Sequence, residues 1–393
     1  MASLSGIWRR KVFSRLIVGV SAFFLATLAV LVPNQQAAHS DPGPVVLGAP
    51  DIMQISVTDL SGVKNQLRNA LGISWGPETT NTVQVQLPGG RQSVQLTRVY
   101  SVSSHPYIQL IKANPQVGPW APFNEQFGQR PRTTSVWRVG VPDFLAAKQQ
   151  MQNAGLTLAA EGFGFAYFES LSGIQFEIIR PSLSPDPAAG VPNTSPANTT
   201  DMGPLNHLST PVRPDEAPSD IPQADITLRQ QITDATGGGI TWDVVAQFGP
   251  AQFPTGIPYY NSYSAPEQLY SYWHPNLEYN CQPEPFLNPL STVPIDNAPL
   301  PPLAATATSS SFSHVWVVPG SGLDTQAGAD AMNAAEAQVL AAGFQSTLRL
   351  DAQLLGQSTF DVNIFRYFKG IDNVNIQLLN AAFENQPTAQ CTN

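Results

Sequence analysis

VWRVGVPD (136–143), AGLTL (154–158), GFAYFES (164–170) and GIQFEII (173–179) are the segments whose order decides how this chain folds. The first is a short apolar strand that turns at Val141-Pro142-Asp143. Behind the turn, AAKQQMQNAG (146–155) is an Ala-rich helical stretch closed by Gly155, a residue suited to the left-handed C-terminal cap. An aromatic strand, Phe165 to Phe168, follows, and Glu177 lies nine positions after Phe168 in a closing strand.

The pattern recurs. Val315-Trp316 repeats Val136-Trp137, AAEAQVLAAG (334–343) repeats the helix, and Phe365-Arg366-Tyr367-Phe368 is followed nine positions later by Gln377 in NVNIQLL. Upstream, Asp51 to Val57 predicts a strand and Asp59 to Ala70 a helix ending at Gly72; Tyr100 stands nine residues before Gln109 in PYIQLI. Between them Val83, Val85 and Leu87 alternate with polar residues, and Pro88-Gly89-Gly90-Arg91 turns the chain toward Val94 and Leu96, a hairpin signature. The third quarter is less regular: His207 in LNHLSTPV predicts an opening strand and Glu278 in NLEYNC a closing one. Gly237-Gly238-Gly239 and several prolines interrupt what lies between.

Strand, helix and three strands in tandem, with Val141-Pro142-Asp143 leading into the helix and a closing GIQFEII after an aromatic strand, resembles the vicinal oxygen chelate superfamily of glyoxalases, bleomycin-resistance proteins and extradiol dioxygenases. The best-matched stretch covers about 50 residues, and weaker matches extend over most of 51–380. The expected fold is α+β, with tandem βαβββ modules paired into two open, cup-like mixed sheets. The expected domains are a first glyoxalase-like domain at 41–180 (modules 51–112 and 133–180), a Pro/Ser/Asn-rich linker at 181–204, and a second domain at 205–393. In the second, a degenerate module at 205–281 and a Pro-rich connection at 282–311 precede a module at 312–380 and a tail.

The resemblance implies a cup between two modules in which residues of first and last strands hold one divalent metal. In the N-terminal pair the first-strand positions fall on Ile52 and Val136 and the last-strand positions on Gln109 and Glu177. With Gln54 as the only polar substitute and no imidazole, this half is expected to be metal-free, leaving Gln54, Gln109 and Glu177 as ligand-binding candidates. In the C-terminal pair His207 and His314 stand at or beside the first-strand positions and Glu278 and Gln377 at the last-strand ones, a candidate set for zinc, nickel, manganese or iron. Glu278 is the candidate proton-transfer carboxylate. His314 aligns one residue away from Val136 when the tryptophans are superposed, and a one-residue slip turns a strand side chain to the other face. Trp273 and His274, in SYWHPN, are further ligand-pocket candidates.

Composition bounds the partners. The chain has 393 residues, 36 of them proline, and from Asp41 onward 15 basic residues face 28 acidic ones, a net of about −13. Such a body repels phosphate backbones, so no nucleic-acid partner is expected. No GxSxG, Walker, HExxH or GxGxxG motif occurs.

Arg9, Arg10, Lys11 and Arg15 precede the uncharged run Leu16 to Val32, with small residues Ala38 and Ser40 placed for a cut before Asp41. Residues 1–40 therefore read as a secretory signal or a retained N-terminal anchor, the only membrane contact expected. An oxidising compartment suits a disulfide between Cys281 and Cys391, the two cysteines of the chain. Two functions stand open. One is an exported, metal-dependent lyase, isomerase or dioxygenase acting on a small oxygenated molecule; the other is a binding or sequestering protein that uses the same cup without chemistry.

Overall fold

The computed structural model describes residues 43–102, 106–125, 128–130, 132–170, 174–184, 199–211, 223–248, 259–265, 269–273, 313–353 and 358–383. Among them no helix is long and apolar enough to cross a membrane. The apolar run at 16–32, His274, Glu278, Cys281 and Cys391 lie outside the described residues.

The first module is β1 (Ile52–Ser56), α1 (Leu60–Leu71), β2 (Thr79–Leu87), β3 (Gly90–Tyr100) and β4 (Tyr107–Asn114). The short strands β5 (Phe123–Glu125) and β6 (Gly128–Arg130) pair with each other. The second module is β7 (Thr133–Arg138), α2 (Phe144–Asn153), β8 (Thr157–Gly162), β9 (Phe165–Glu169) and β10 (Gln175–Ile179). In the C-terminal half come β11 (His207–Pro211), α3 (Gln223–Ala235), β12 (Thr241–Phe248), β13 (Tyr259–Ala265) and β14 (Leu269–Trp273). The last are β15 (Ser313–Val318), α4 (Gln326–Ala341), β16 (Gln345–Asp351), β17 (Asn363–Lys369) and β18 (Asn375–Asn380). The third quarter thus repeats the βαβββ order. Its closing strand is β14, which pairs in parallel with β11; the expectation that the segment around Glu278 closes this module is corrected accordingly.

Both halves string their strands in the same order. In the N-terminal half it runs β2-β3-β4-β1-β7-β10-β9-β8, and in the C-terminal half β12-β13-β14-β11-β15-β18-β17-β16. The N-terminal sheet goes a step beyond an open cup. Val85 and Gln86 of β2 pair with Gly162 and Glu161 of β8, which closes the eight strands into a barrel. No such seam joins β12 to β16 among the described residues.

Helix placement follows the sequence pattern. In α1, Leu60, Val63, Leu67, Ala70 and Leu71 recur at helical spacing and are buried, Asp59 accepts from Gly62 N–H at 2.9 Å, and Gly72 at φ 74° ends the helix. In α4, Thr325 caps Gly328 at 3.0 Å, and Gly343 at φ 86° follows the end. One continuous core takes side chains from these helices and from the outer sheet faces of both halves, including Met53, Leu67, Trp137, Phe176, Leu208, Trp316, Met332 and Phe368.

Helices pair across the halves, α1 with α4 and α2 with α3. Two glutamines at matching places secure the pairs. Gln150 of α2 accepts from Val45 N–H at 2.9 Å and donates to the carbonyls of Val45 and Ala235, each at 2.9 Å. Gln338 of α4 accepts from Thr200 N–H at 2.8 Å and donates to the carbonyls of Thr200 at 3.0 Å and Ala70 at 2.9 Å. Each amide therefore ties one extended segment and the C-terminal end of a partner helix to its own helix. A further tie comes from Asp372, at φ 55° in the turn between β17 and β18. It accepts from the backbone N–H groups of Thr58 and Asp59 at 2.6 and 2.7 Å and from the Thr58 hydroxyl at 2.5 Å.

Candidate functional site

Strand register fixes which side chains share a cup. Gln109 and Glu177, matched by their nine-residue spacing from an aromatic residue, stand beside Gln54 and Val136 in the parallel ladders β1–β4 and β7–β10. Gln54, and not Ile52, is therefore the first-strand residue of the first module; Ile52 lies opposite Tyr107. In the C-terminal half Gln377 stands beside Val315, and the corresponding pair on β11 and β14 is Ser209 with Tyr270.

Inside the N-terminal barrel the inward positions are filled by the protein itself. Ile52, Val85, Leu87, Val94, Leu96, Trp120, Val136, Phe165 and Tyr167 form a buried cluster separate from the main core. Trp120 meets Tyr167 edge to face, ring centroids 5.4 Å apart at 78°, and its indole N–H donates to the Tyr167 hydroxyl at 3.2 Å. That hydroxyl donates to Gln54 Oε1 at 3.0 Å, while Gln109 Nε2 donates to Tyr100 Oη at 2.6 Å. Gln54 Nε2, also buried, has no hydrogen-bond partner among the described residues.

Glu177 is 3% exposed. Burial pushes its carboxyl up to about 7, against smaller opposing effects from its hydrogen bond with Tyr167 and from the Arg98 charge. The Tyr167 phenol is driven well above its ordinary value, first by burial and then by the adjacent Glu177. The four ligand-type positions of this barrel are thus two amides, a valine and a carboxyl that burial disposes toward the protonated form. Such a set does not fit a divalent ion, which needs deprotonated carboxylates or imidazoles.

On the same strand face of the C-terminal sheet the register aligns His207, Val315, Gln377 and Tyr367 in one row, all buried. Tyr367 meets Phe365 edge to face at 5.4 Å, as Tyr167 meets Phe165 at 6.0 Å. His207 Nδ1 lies 2.7 Å from Asn206 Oδ1, and burial lowers the imidazole to about 4, so it is neutral at physiological pH.

His314 is turned away from this row. It sits opposite Leu208 and Ile376, while His207 sits opposite Val315, so the two imidazoles occupy opposite faces of the sheet. The expectation that they meet across the cup is corrected by this alternation. Instead, His314 is packed between the halves. A carbonyl can only accept, so Nδ1, 2.8 Å from Asn375 O, carries the proton; Nε2 then accepts from the Thr133 hydroxyl at 3.2 Å. Burial lowers this imidazole to about 4 as well, only partly countered by the bond to Asn375.

The cup therefore gathers Gln54, Gln109 and Glu177 in one half and His207 with Gln377 in the other. Trp273 is the last residue of β14. Among the described residues no group of three or more His, Cys, Asp or Glu is placed to hold a metal. Of the four residues expected to hold a metal in the C-terminal half, His207 and Gln377 are the two on the cup face among the described residues, and one imidazole with one amide does not complete a divalent site. Tyr100, Trp120, Tyr167 and Tyr367 were not singled out as site residues from sequence. For Tyr167 and Tyr367 the signal was there in the repeated Phe-x-Tyr of Phe165-Ala166-Tyr167 and Phe365-Arg366-Tyr367; Trp120 carried none.

No family model and no curated protein matches the sequence. Among solved structures the chain is similar to a variant of 4-hydroxymandelate synthase from Streptomyces coelicolor, at 10% identity over 84% of this chain and 92% of that one, with a TM-score of 0.46. It is also similar to a catechol 2,3-dioxygenase (12% identity, 85% and 93% covered, TM-score 0.40). A variant of homoprotocatechuate 2,3-dioxygenase from Brevibacterium fuscum is a further neighbour (12%, 86% and 73%, 0.41). By its own strand order and register, the chain has the α+β architecture of tandem βαβββ modules expected from its resemblance to the vicinal oxygen chelate superfamily.

Proposed function

We propose that this is a small-molecule-binding protein that takes a small oxygenated ligand on the His207, Gln377 and Tyr367 face of its C-terminal sheet, by hydrogen bonds and without metal chemistry. The observation that carries this reading is the register that puts His207 and His314 on opposite faces, which breaks up the donor set a metal-dependent enzyme would use. What is left on the cup face is a neutral imidazole, an amide and a phenol. These donate to and accept from hydroxyl and carbonyl oxygens without demanding charge. The N-terminal barrel, filled by Trp120, Phe165 and Tyr167, is the supporting half. Export fits the basic and apolar N-terminal segment, and an oxidising destination fits a Cys281–Cys391 bridge.

Catechol, which offers two neutral hydroxyl groups, is a suitable probe. Calorimetry on the full chain is expected to give one site per chain that survives chelator treatment and weakens about two- to tenfold in Gln377→Ala, the loss of one hydrogen bond. Stoichiometric bound metal, with turnover abolished in His207→Ala, would overturn the binding reading in favour of the enzyme.

A further inference from the structure

Among the described residues Glu177 is the buried carboxyl of the barrel interior and makes no salt bridge, and its surroundings say what that group does. Glu177 is faced by Tyr167 from β9, Tyr100 and Arg98 from β3, Gln109 from β4, Gln54 from β1 and Val136 from β7. Arg98 is the one cation of this set. It stands two residues before Tyr100 on the same inward strand face, half-buried, and acts by charge on Glu177, Tyr167 and Tyr100. Its guanidinium donates to Asn81 Oδ1 at 2.9 Å. The next basic side chain, Arg138, donates from Nε and Nη2 to Asp51 Oδ1, while Asp51 Oδ2 accepts from the Arg138 backbone N–H.

We propose that the barrel carries an acid lock, in which Glu177 is a neutral carboxylic acid held against Tyr167, and its ionisation draws the Arg98 guanidinium from Asn81 into the barrel. The step is a single proton transfer from the Glu177 carboxyl to solvent. It leaves a carboxylate in an interior with no other counter-charge, and a buried carboxylate needs one. Arg98 can supply it by giving up a solvent-exposed hydrogen bond to Asn81, which water can replace. Gln54 accepts the Tyr167 hydroxyl while the acid is neutral; once the acid ionises, that hydroxyl turns to the carboxylate and frees Gln54 Oε1. The lock thus links the protonation of one side chain to the hydrogen bonding of the whole polar layer. It makes the barrel a pH-responsive element beside the ligand-binding half.

The test uses the full chain. Infrared difference spectra with labelled glutamate, from about pH 5 to about pH 9, are expected to show a protonated carboxyl lost around neutrality, missing in Glu177→Gln. In the unaltered protein the side-chain nitrogen resonances of Arg98 should move with the same midpoint, a readout that requires no variant. Arg98→Ala is expected to make the acid at least about tenfold weaker, a midpoint about one pH unit higher or more. A carboxyl that ionises at the ordinary glutamate value, an Arg98 signal that does not titrate with it, or an unmoved midpoint in Arg98→Ala would each overturn the lock. Catechol binding measured on the same samples reports separately on the C-terminal sheet, so failure of one reading leaves the other standing.

Discussion

Read across the central strands, the N-terminal barrel carries Ile52, Val136, Glu177 and Tyr167 where the C-terminal sheet carries His207, Val315, Gln377 and Tyr367. Two positions are kept, valine and tyrosine. The other two are exchanged in kind: the barrel has an aliphatic where the sheet has an imidazole, and an acid where the sheet has an amide. Each row thus contains one titratable group outside tyrosine, an acid shifted up in one and a base shifted down in the other, and burial is the leading cause of both shifts. The difference teaches that a cup of this architecture can keep its geometry while its electrostatics are held near neutral. The halves part ways in how they treat the space: one fills it with Trp120 and Phe165 and seals the seam at β2 and β8.

The sharpest way to break the comparison is to empty the filled half. Trp120→Ala removes an indole packed edge-on against Tyr167 and the hydrogen bond to its hydroxyl. The expected loss is about 3–5 kcal/mol in urea unfolding, as for other large-to-small core changes. A loss below about 1 kcal/mol would mean the barrel interior is not packed as described.

The pH dependence of stability sharpens the contrast between acid and base. For His207 and His314 the folded value, about 4, lies below the ordinary 6.5. Their contribution is complete above 6.5 and is lost as pH falls toward 4, about 1.4 kcal/mol per pH unit for each. Glu177 runs the other way, since its folded value of about 7 lies above the ordinary 4.5. Its contribution is complete below 4.5 and is lost as pH rises toward 7. Between 4.5 and 6.5 two rising contributions oppose one falling one, so urea midpoints should climb with pH by about one histidine's worth. In Glu177→Gln the climb should double, and in His314→Gln it should nearly vanish. Equal slopes in all three proteins would contradict the assigned burial.

The smallest expected effect tests whether the halves are equivalent where they meet. Gln150→Ala and Gln338→Ala each leave one backbone N–H and two carbonyls short of a partner, for about 1–2 kcal/mol apiece. Values that agree within about 0.5 kcal/mol would support matched clamps; a severalfold disparity would show that one helix pair dominates.

Much of this arrangement was legible in the residues. Helix ends at Gly72, Gly155 and Gly343, the hairpin around Pro88 to Arg91 and the tyrosines of β9 and β17 all leave local marks, because capping, turn chemistry and alternation are written in neighbouring residues. Register leaves none. Whether Ile52 or Gln54 stands beside Gln109, and which face His314 takes, depend on the partner strand and not on the strand itself. The closing strand of the third module, Leu-Tyr-Ser-Tyr-Trp at 269–273, alternates aromatic and polar types too weakly to outweigh Leu277-Glu278-Tyr279 nearby. The helix pairing was equally silent, since Gln150 and Gln338 look like ordinary surface amides until the carbonyls of Ala235 and Ala70 are placed beside them.

Asp372 has a consequence for how the protein is made. It satisfies backbone donors at Thr58 and Asp59, the start of α1, from more than 300 positions further along the chain. During synthesis that helix therefore emerges with its entry loop unfinished, and the carboxylate that completes it is made more than 300 residues later. Vectorial folding can assemble the early strands, but it cannot close the account at α1 until the final hairpin has arrived. A chain built this way holds the entry to its first helix open until the turn between β17 and β18 has been made.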